Sequence, residues 1–170
     1  MKKLLFIFIF FAVSTGIKAN ITDTFKNISI LENPKKYEEV IFEDFDGKTI
    51  NLEKFDSKIY IVNFWATWCA PCKKEMPSLD KFQARNQDIL VFPINVDKPN
   101  KEKTNKFFKD LNIENLQIYF DHELQLVNQF KLRGVPTTIL INKNGSEFAR
   151  ITGDINFDDK KFIQWLNQFR

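Results

Sequence analysis

Apolar positions along this chain fall into short runs with two different periods. KIYIVNFW (58–65) is an almost unbroken β-branched and aromatic run, the pattern of a strand covered on both faces. ILVFPINV (89–96) repeats it. Ahead of both, EEVIFEDFDGKTINLEKF places two short β-rich stretches around Asp46-Gly47, a strong hairpin signal. From Ala70 to Gln87 the period becomes helical, with Met76, Leu79 and Phe82 at spacings of three and Pro77 predicting a kink. Residues 100–111 bring Phe107, Phe108 and Leu111 to one helical face, and LQIYF (116–120) predicts a short strand. Asp121 then reads as the cap of a helix carrying Leu124, Val127 and Phe130. TTILIN (137–142) and EFARIT (147–152) flank Asn144-Gly145 as a second hairpin, and the chain closes on an apolar helical stripe of Phe162, Ile163, Trp165, Leu166 and Phe169. Strands alternating with helices, followed by an antiparallel hairpin and a helix, predict an α/β domain: a central mixed β-sheet flanked by helices, with an N-terminal β-hairpin.

The first residues do not belong to that pattern. MKKLLFIFIFFAVSTGIKAN opens on Lys2 and Lys3, runs apolar from Leu4 to Val13, and turns small and polar before Ala19. A basic start, a short apolar centre and a small-residue exit describe a secretory signal peptide. Residues 1–19 are read that way, with cleavage after Ala19, Gly16 as a second option and an uncleaved anchor as the alternative. The apolar run is shorter than the roughly 20 residues that span a bilayer. Residues 20–36 mix polar and isolated apolar positions and read as a leader, which leaves 37–170 as one domain.

Charge changes meaning once this segment is set aside. Losing Lys2, Lys3 and Lys18, with no acid among them, takes the formal net charge from +3 to zero. No basic surplus remains for nucleic acid, and the lysines between Lys98 and Lys109 are interrupted by acids and Asn, as on a solvated helix face. The neutral exported chain is expected to be a monomer. Of the nineteen Phe, the fifteen beyond the signal segment supply most of the apolar mass of the core.

Both cysteines, Cys69 and Cys72, lie in FWATWCAPCKKE (64–75). In an exported setting thiols tend to be oxidised unless something keeps them reduced. Cys69 falls between a buried strand and the start of a helix, where unpaired N–H groups and the positive end of the helix dipole favour an anion. That position lowers a thiol's pKa and makes it nucleophilic near neutral pH. Pro71 suits the first helical turn and stiffens the loop. Cys72, one turn further in, is placed to attack a mixed disulfide formed at Cys69, so the two thiols can act in sequence. A zinc site wants four ligands, and His122, which reads as a surface residue, is the chain's one histidine. No metal and no cofactor is expected.

The string Trp65-Ala66-x-Trp68-Cys69-x-Pro71-Cys72 is similar to the thioredoxin active site. VNFWATWCAPCKKEMPSL, with DFDGKTINLEKF before it and GVPTTILINKNG after it, resembles the exported TlpA/ResA-type thiol-disulfide oxidoreductases over residues 38–155. The resemblance implies a thioredoxin fold, a redox-active Cys69–Cys72 disulfide and a cis-proline loop facing it, with Pro136 as the cis residue. It also implies that Val135 offers backbone groups to a substrate strand and that Trp68 lies on the rim. The acid that thioredoxin buries six residues before its first cysteine is Asn63 here, so the base serving Cys72 must come from elsewhere. Glu75, three residues after Cys72 as in the TlpA/ResA pattern, is the candidate, against the plain alternative of a surface charge near a helix start.

These readings predict a periplasmic or otherwise extracytoplasmic reductase of protein disulfides, recharged by a membrane thiol reductant. By resemblance its substrates would be apocytochrome c or proteins of respiratory copper-site assembly. Ala70-Pro71 lacks the histidine of strong oxidants, which points to a reducing dithiol. Two other readings are a peroxidase on the same fold, disfavoured because Pro-x-x-x-Thr/Ser-x-x-Cys does not occur, and a non-catalytic carrier of a soft metal ion such as Cu(I).

Overall fold

β4 (Ile59–Trp65) has no exposed position, and the rest of the molecule is arranged about it. In the computed structural model, which describes residues 24–170, it sits fourth in an eight-stranded sheet. Residues 1–19, read from the sequence as a signal peptide, and the start of the stretch read as a leader lie outside the described residues. In chain order the other elements are β1 (Ile28–Lys36), β2 (Ile41–Asp44), β3 (Thr49–Asn51), α1 (Ala70–Arg85), β5 (Ile89–Asn95), α2 (Lys101–Asp110), β6 (Tyr119–Phe120), α3 (Gln125–Gln129), β7 (Thr137–Asn142), β8 (Ser146–Thr152) and α4 (Lys160–Leu166). Across the sheet they run β1-β8-β7-β4-β5-β6-β2-β3. β5 lies parallel to β4 and β6 parallel to β5, while the β7, β8, β1 and β2–β3 pairings are antiparallel. This is the mixed sheet expected from the sequence.

Alternation along β4 builds two cores. Ile59, Ile61 and Trp65 face Met76, Leu79 and Phe82 of α1, Phe107 and Phe108 of α2, and Phe162, Trp165 and Leu166 of α4. Tyr60, Val62 and Phe64 face Phe42, Leu126, Phe130, Ile139 and Ile141 on the other side. Burying a large apolar side chain contributes about 1.5–3 kcal/mol, so both faces of β4 hold the sheet. The Trp65 ring lies 4.4 Å from that of Phe107 and pins α2. The lysines of α2 point to solvent, and Lys106 pairs with Asp110 one turn on. The β2–β3 hairpin turns at Gly47, whose φ of 83° suits a residue without Cβ.

Three details differ from the periodicity. Ile28–Lys36, which reads as leader, is an edge strand paired to β8 through Ile28↔Ile151 and Lys35↔Glu147. Within it only Ile28 is buried, and the register shifts between Ile30 and Lys35, so no alternating stripe betrays it. The strand predicted over 116–120 shrinks to Tyr119–Phe120 because Asp80 of α1 takes the backbone N–H groups of Glu114, Asn115 and Leu116 at 3.1, 2.7 and 3.1 Å. Asp121 does serve α3, accepting from the N–H of Leu126 at 3.2 Å and of Val127 at 2.9 Å, but the helix begins beyond Leu124. Leu124 adopts a left-handed φ of 56° and is exposed instead of lying on the apolar face.

Candidate active site

The buried run of β4 ends at Trp65, and the chain then turns so that Cys69 N–H bonds to the Ala66 carbonyl at 3.2 Å. Asp97, just past β5, fixes this turn by accepting the Thr67 backbone N–H at 2.8 Å and the Thr67 hydroxyl at 2.7 Å through one carboxylate oxygen. Asp97 is itself set by Asn95, whose Oδ1 takes the Asp97 N–H at 2.9 Å. Cys69 is the N-cap of α1, with Sγ accepting the N–H of Cys72 at 3.2 Å, and Pro71 fills the first turn where its missing N–H costs nothing. Cys69 and Cys72 are joined in a disulfide. Cys69 is 3% exposed and Cys72 fully buried, while Trp68 beside them is 69% exposed and Pro71 also faces solvent. The sulfurs therefore lie just beneath a rim of Trp68 and Pro71.

The β4–β7 register pairs Phe64 with Thr137, which brings the residues just before β7 to the sheet end where β4 runs out into the cysteine turn. The Val135–Pro136 peptide is cis there. Pro136 is buried, its carbonyl accepts the Gly153 N–H at 2.9 Å, and Val135 packs partly against the core that contains both cysteines.

Glu75 is not a surface charge. It lies beyond the first turn of α1, 1% exposed, on the buried face that also carries Cys72 and Leu79. Burial pushes its carboxyl up to about 8. The Asn63 amide and the Ile155 backbone N–H act in the opposite direction, and Asp154 adds slightly to the rise. Asn63 Nδ2 donates to Glu75 Oε1 at 2.8 Å and to Thr138 Oγ1 at 2.9 Å. Glu75 Oε2 and Asn63 Oδ1 are buried without a partner among the described residues. A group that titrates near neutrality, one turn from a thiol, can exchange protons with it.

Cys69, Cys72, Glu75, Trp68, Val135 and Pro136, picked out from the sequence, thus gather at one end of the sheet, while His122 is exposed elsewhere, next to the α3 cap. Thr138 and Asp97 escaped sequence reading. Thr138 carries a usable signal: it stands two residues beyond Pro136, so the alternation of β7 faces it toward whatever polar side chain β4 buries. Asp97 carries none beyond its place after a strand. No helix among the described residues is long and apolar enough to cross a membrane, and among them no three His, Cys, Asp or Glu side chains are grouped to hold a metal ion.

The AhpC/TSA family model matches residues 34–146. The thiol-disulfide oxidoreductase ResA of Halalkalibacterium halodurans is 33% identical over 115 residues, 66% of this chain and 64% of that protein, so the chain spans under two thirds of that relative's length. ResA of Geobacillus thermodenitrificans is 32% identical over 123 residues, 71% of this chain and 70% of that one. Among solved structures, the DsbF homologue from Corynebacterium diphtheriae superposes with a TM-score of 0.70 at 23% identity, covering 84% of this chain and 92% of its own. That likeness identifies the fold as thioredoxin-like.

Proposed function

The chain belongs to the AhpC/TSA family, where it stands beside the ResA-type thiol-disulfide oxidoreductases, and we propose that it works as one of them, as an exported reductase of protein disulfides. The observation that carries this reading is the Cys69–Cys72 pair at the start of α1, with Cys69 as the N-cap and Cys72 sealed behind it.

In the reduced protein the Cys69 thiolate attacks one sulfur of a substrate disulfide. A Cys69–substrate S–S bond forms and the other substrate sulfur leaves as a thiolate. Cys72, deprotonated by Glu75, then attacks Cys69 Sγ and expels the second substrate thiolate. Two electrons have passed from the dithiol to the substrate, and the Cys69–Cys72 disulfide remains, the state of this structure. Exchange with a membrane thiol reductant returns the dithiol. Trp68 and the Val135–Pro136 loop border the sulfurs as the surface on which a substrate strand rests.

The export segment at 1–19 and the neutral remainder support a monomer outside the cytoplasm, and the family resemblance supports apocytochrome c or copper-site assembly proteins as substrates. Cys72→Ser expressed in its own cell should hold substrates covalently on Cys69, and their identification tests the substrate class. In parallel, the purified dithiol should reduce insulin. Failure of Cys72→Ser to trap any protein, together with an inactive dithiol, would overturn the reading; peroxide consumption or tight Cu(I) binding in its place would point to the two alternatives.

A further inference from the structure

We propose that Asn63 is a positioning residue for Glu75: held by Thr138, its amide fixes the direction of the Glu75 carboxyl and supplies the donor that lets that carboxyl ionise. The inference rests on the proposed proton exchange between Glu75 and Cys72 and assigns a partner to it. Asn63 is fully buried at the centre of an otherwise apolar strand, a location with a cost unless its amide is used. Both hydrogens of Nδ2 are used, one on Glu75 Oε1 and one on Thr138 Oγ1. The β4–β7 ladder pairs Asn63 directly with Thr138, so the hydroxyl that orients the amide is set by sheet register and not by a mobile loop.

The contact is one-sided. Oε1 has a strong donor, whereas Oε2 makes no hydrogen bond among the described residues. The Ile155 backbone N–H favours the ionised carboxyl without bonding Oε2, so Oε2 is the oxygen placed to carry the proton. The charged and titratable groups around the carboxyl are few. Cys72 shares its helix face and is tied up in the disulfide. Asp154, in the segment after β8, opposes ionisation and is itself paired with Lys74 at 2.7 Å. β4 and β7 contribute only the neutral Asn63 and Thr138. Against the burial that holds the acid protonated, Asn63 is thus the one side-chain donor to the carboxylate.

The test is carried out on the oxidised protein, where no thiol titrates. The infrared band of the protonated Glu75 carboxyl, assigned by its loss in Glu75→Gln, is followed against pH. A hydrogen bond to a charged acceptor corresponds to about one to two pH units, so Asn63→Ala should raise the midpoint by about that much. Thr138→Val, which keeps shape and removes the hydroxyl, should raise it by less. The pH profile of disulfide reduction should move in the same direction. A midpoint unmoved or lowered in folded Asn63→Ala overturns the inference, and if that variant does not fold, an unmoved midpoint in Thr138→Val does so. If Glu75→Gln leaves reduction and its pH profile intact, the proton-exchange reading fails, while the infrared midpoint still decides the role of Asn63.

Discussion

One oxygen of Asp97 accepts both the backbone N–H and the hydroxyl of Thr67, tying the end of β5 to the turn that presents Trp68 and Cys69. Thr67 is 7% exposed, so its polar groups have little water to fall back on. Asp97→Ala is therefore expected to cost about 1–3 kcal/mol of stability, read as a lower urea midpoint. The same change should slow insulin reduction, because the turn that aims Cys69 loses its anchor. Asp97→Asn keeps an acceptor and should lose less on both counts. Equal losses in the two variants would mean that the charge, and not the bond, is what matters.

A second buried network lies on the opposite face and has no part in the redox site. Glu147, whose side chain is 2% exposed, takes two bonds from Arg150 at 2.8 and 3.1 Å and one from the Tyr37 hydroxyl at 2.7 Å. Arg150 also donates to the Phe130 carbonyl at 2.9 Å, joining β8 to the end of α3. Burial first, and then the bond to Glu147, hold the Tyr37 phenol well above its usual range. Arg150→Ala strands a buried carboxylate and should cost about 3–5 kcal/mol. Tyr37→Phe removes one bond and should cost about 1.5–3 kcal/mol. Chemical denaturation measures both, and the thiol titration of the reduced protein should be unchanged in Tyr37→Phe.

What could be read from the sequence follows from how local each cause is. β4, β5, α1 and the two hairpins are visible because their own residues carry the period and the turn chemistry. β1 and the shortness of β6 are not, since one depends on the edge that β8 offers and the other on Asp80, more than thirty residues away from the amides it captures. The site divides in the same way. Cys69, Cys72 and Pro136 lie in recognisable strings. Glu75 is picked out by the same string as the cysteines, but its neighbours Lys73 and Lys74 do not separate it from a surface charge. Its burial, its contact with Asn63 and the Asn63–Thr138 bond exist only once α1 is docked on the assembled sheet.

The edge strand makes a direct prediction. A chain beginning at residue 37, the boundary that periodicity suggests, lacks β1 and uncovers the edge of β8 that Ile28, Ser29 and Ile30 occupy. Unpaired edges recruit other strands. Such a chain should unfold at lower denaturant and self-associate, whereas one beginning at residue 24 should remain dispersed. Light scattering and urea titration of the pair measure this, and identical behaviour would show that β1 adds nothing to the sheet.

The last prediction concerns the pH dependence of stability in the oxidised protein. Folding raises the Glu75 carboxyl from its ordinary value of 4.5 to about 8. Below 4.5 it is protonated in both folded and unfolded chains, and its contribution is fully present. Between 4.5 and about 8 the unfolded chain has released this proton and the folded chain still holds it, so stability falls as pH rises. Above about 8 both states are ionised and the loss is complete. At 1.36 kcal/mol per pH unit the whole loss is on the order of 3–5 kcal/mol. Glu75→Gln cannot ionise, so its stability should be flatter over this window. It should exceed the parent at pH 9 by about 2–4 kcal/mol, after allowing for an imperfectly paired amide, and differ little at pH 5. Urea unfolding at the two pH values, with the disulfide intact, measures the difference directly. A parent whose stability is level between pH 5 and 9, or a Gln variant with the same slope, would place the Glu75 proton outside the linkage and leave the carboxyl ionised in the fold.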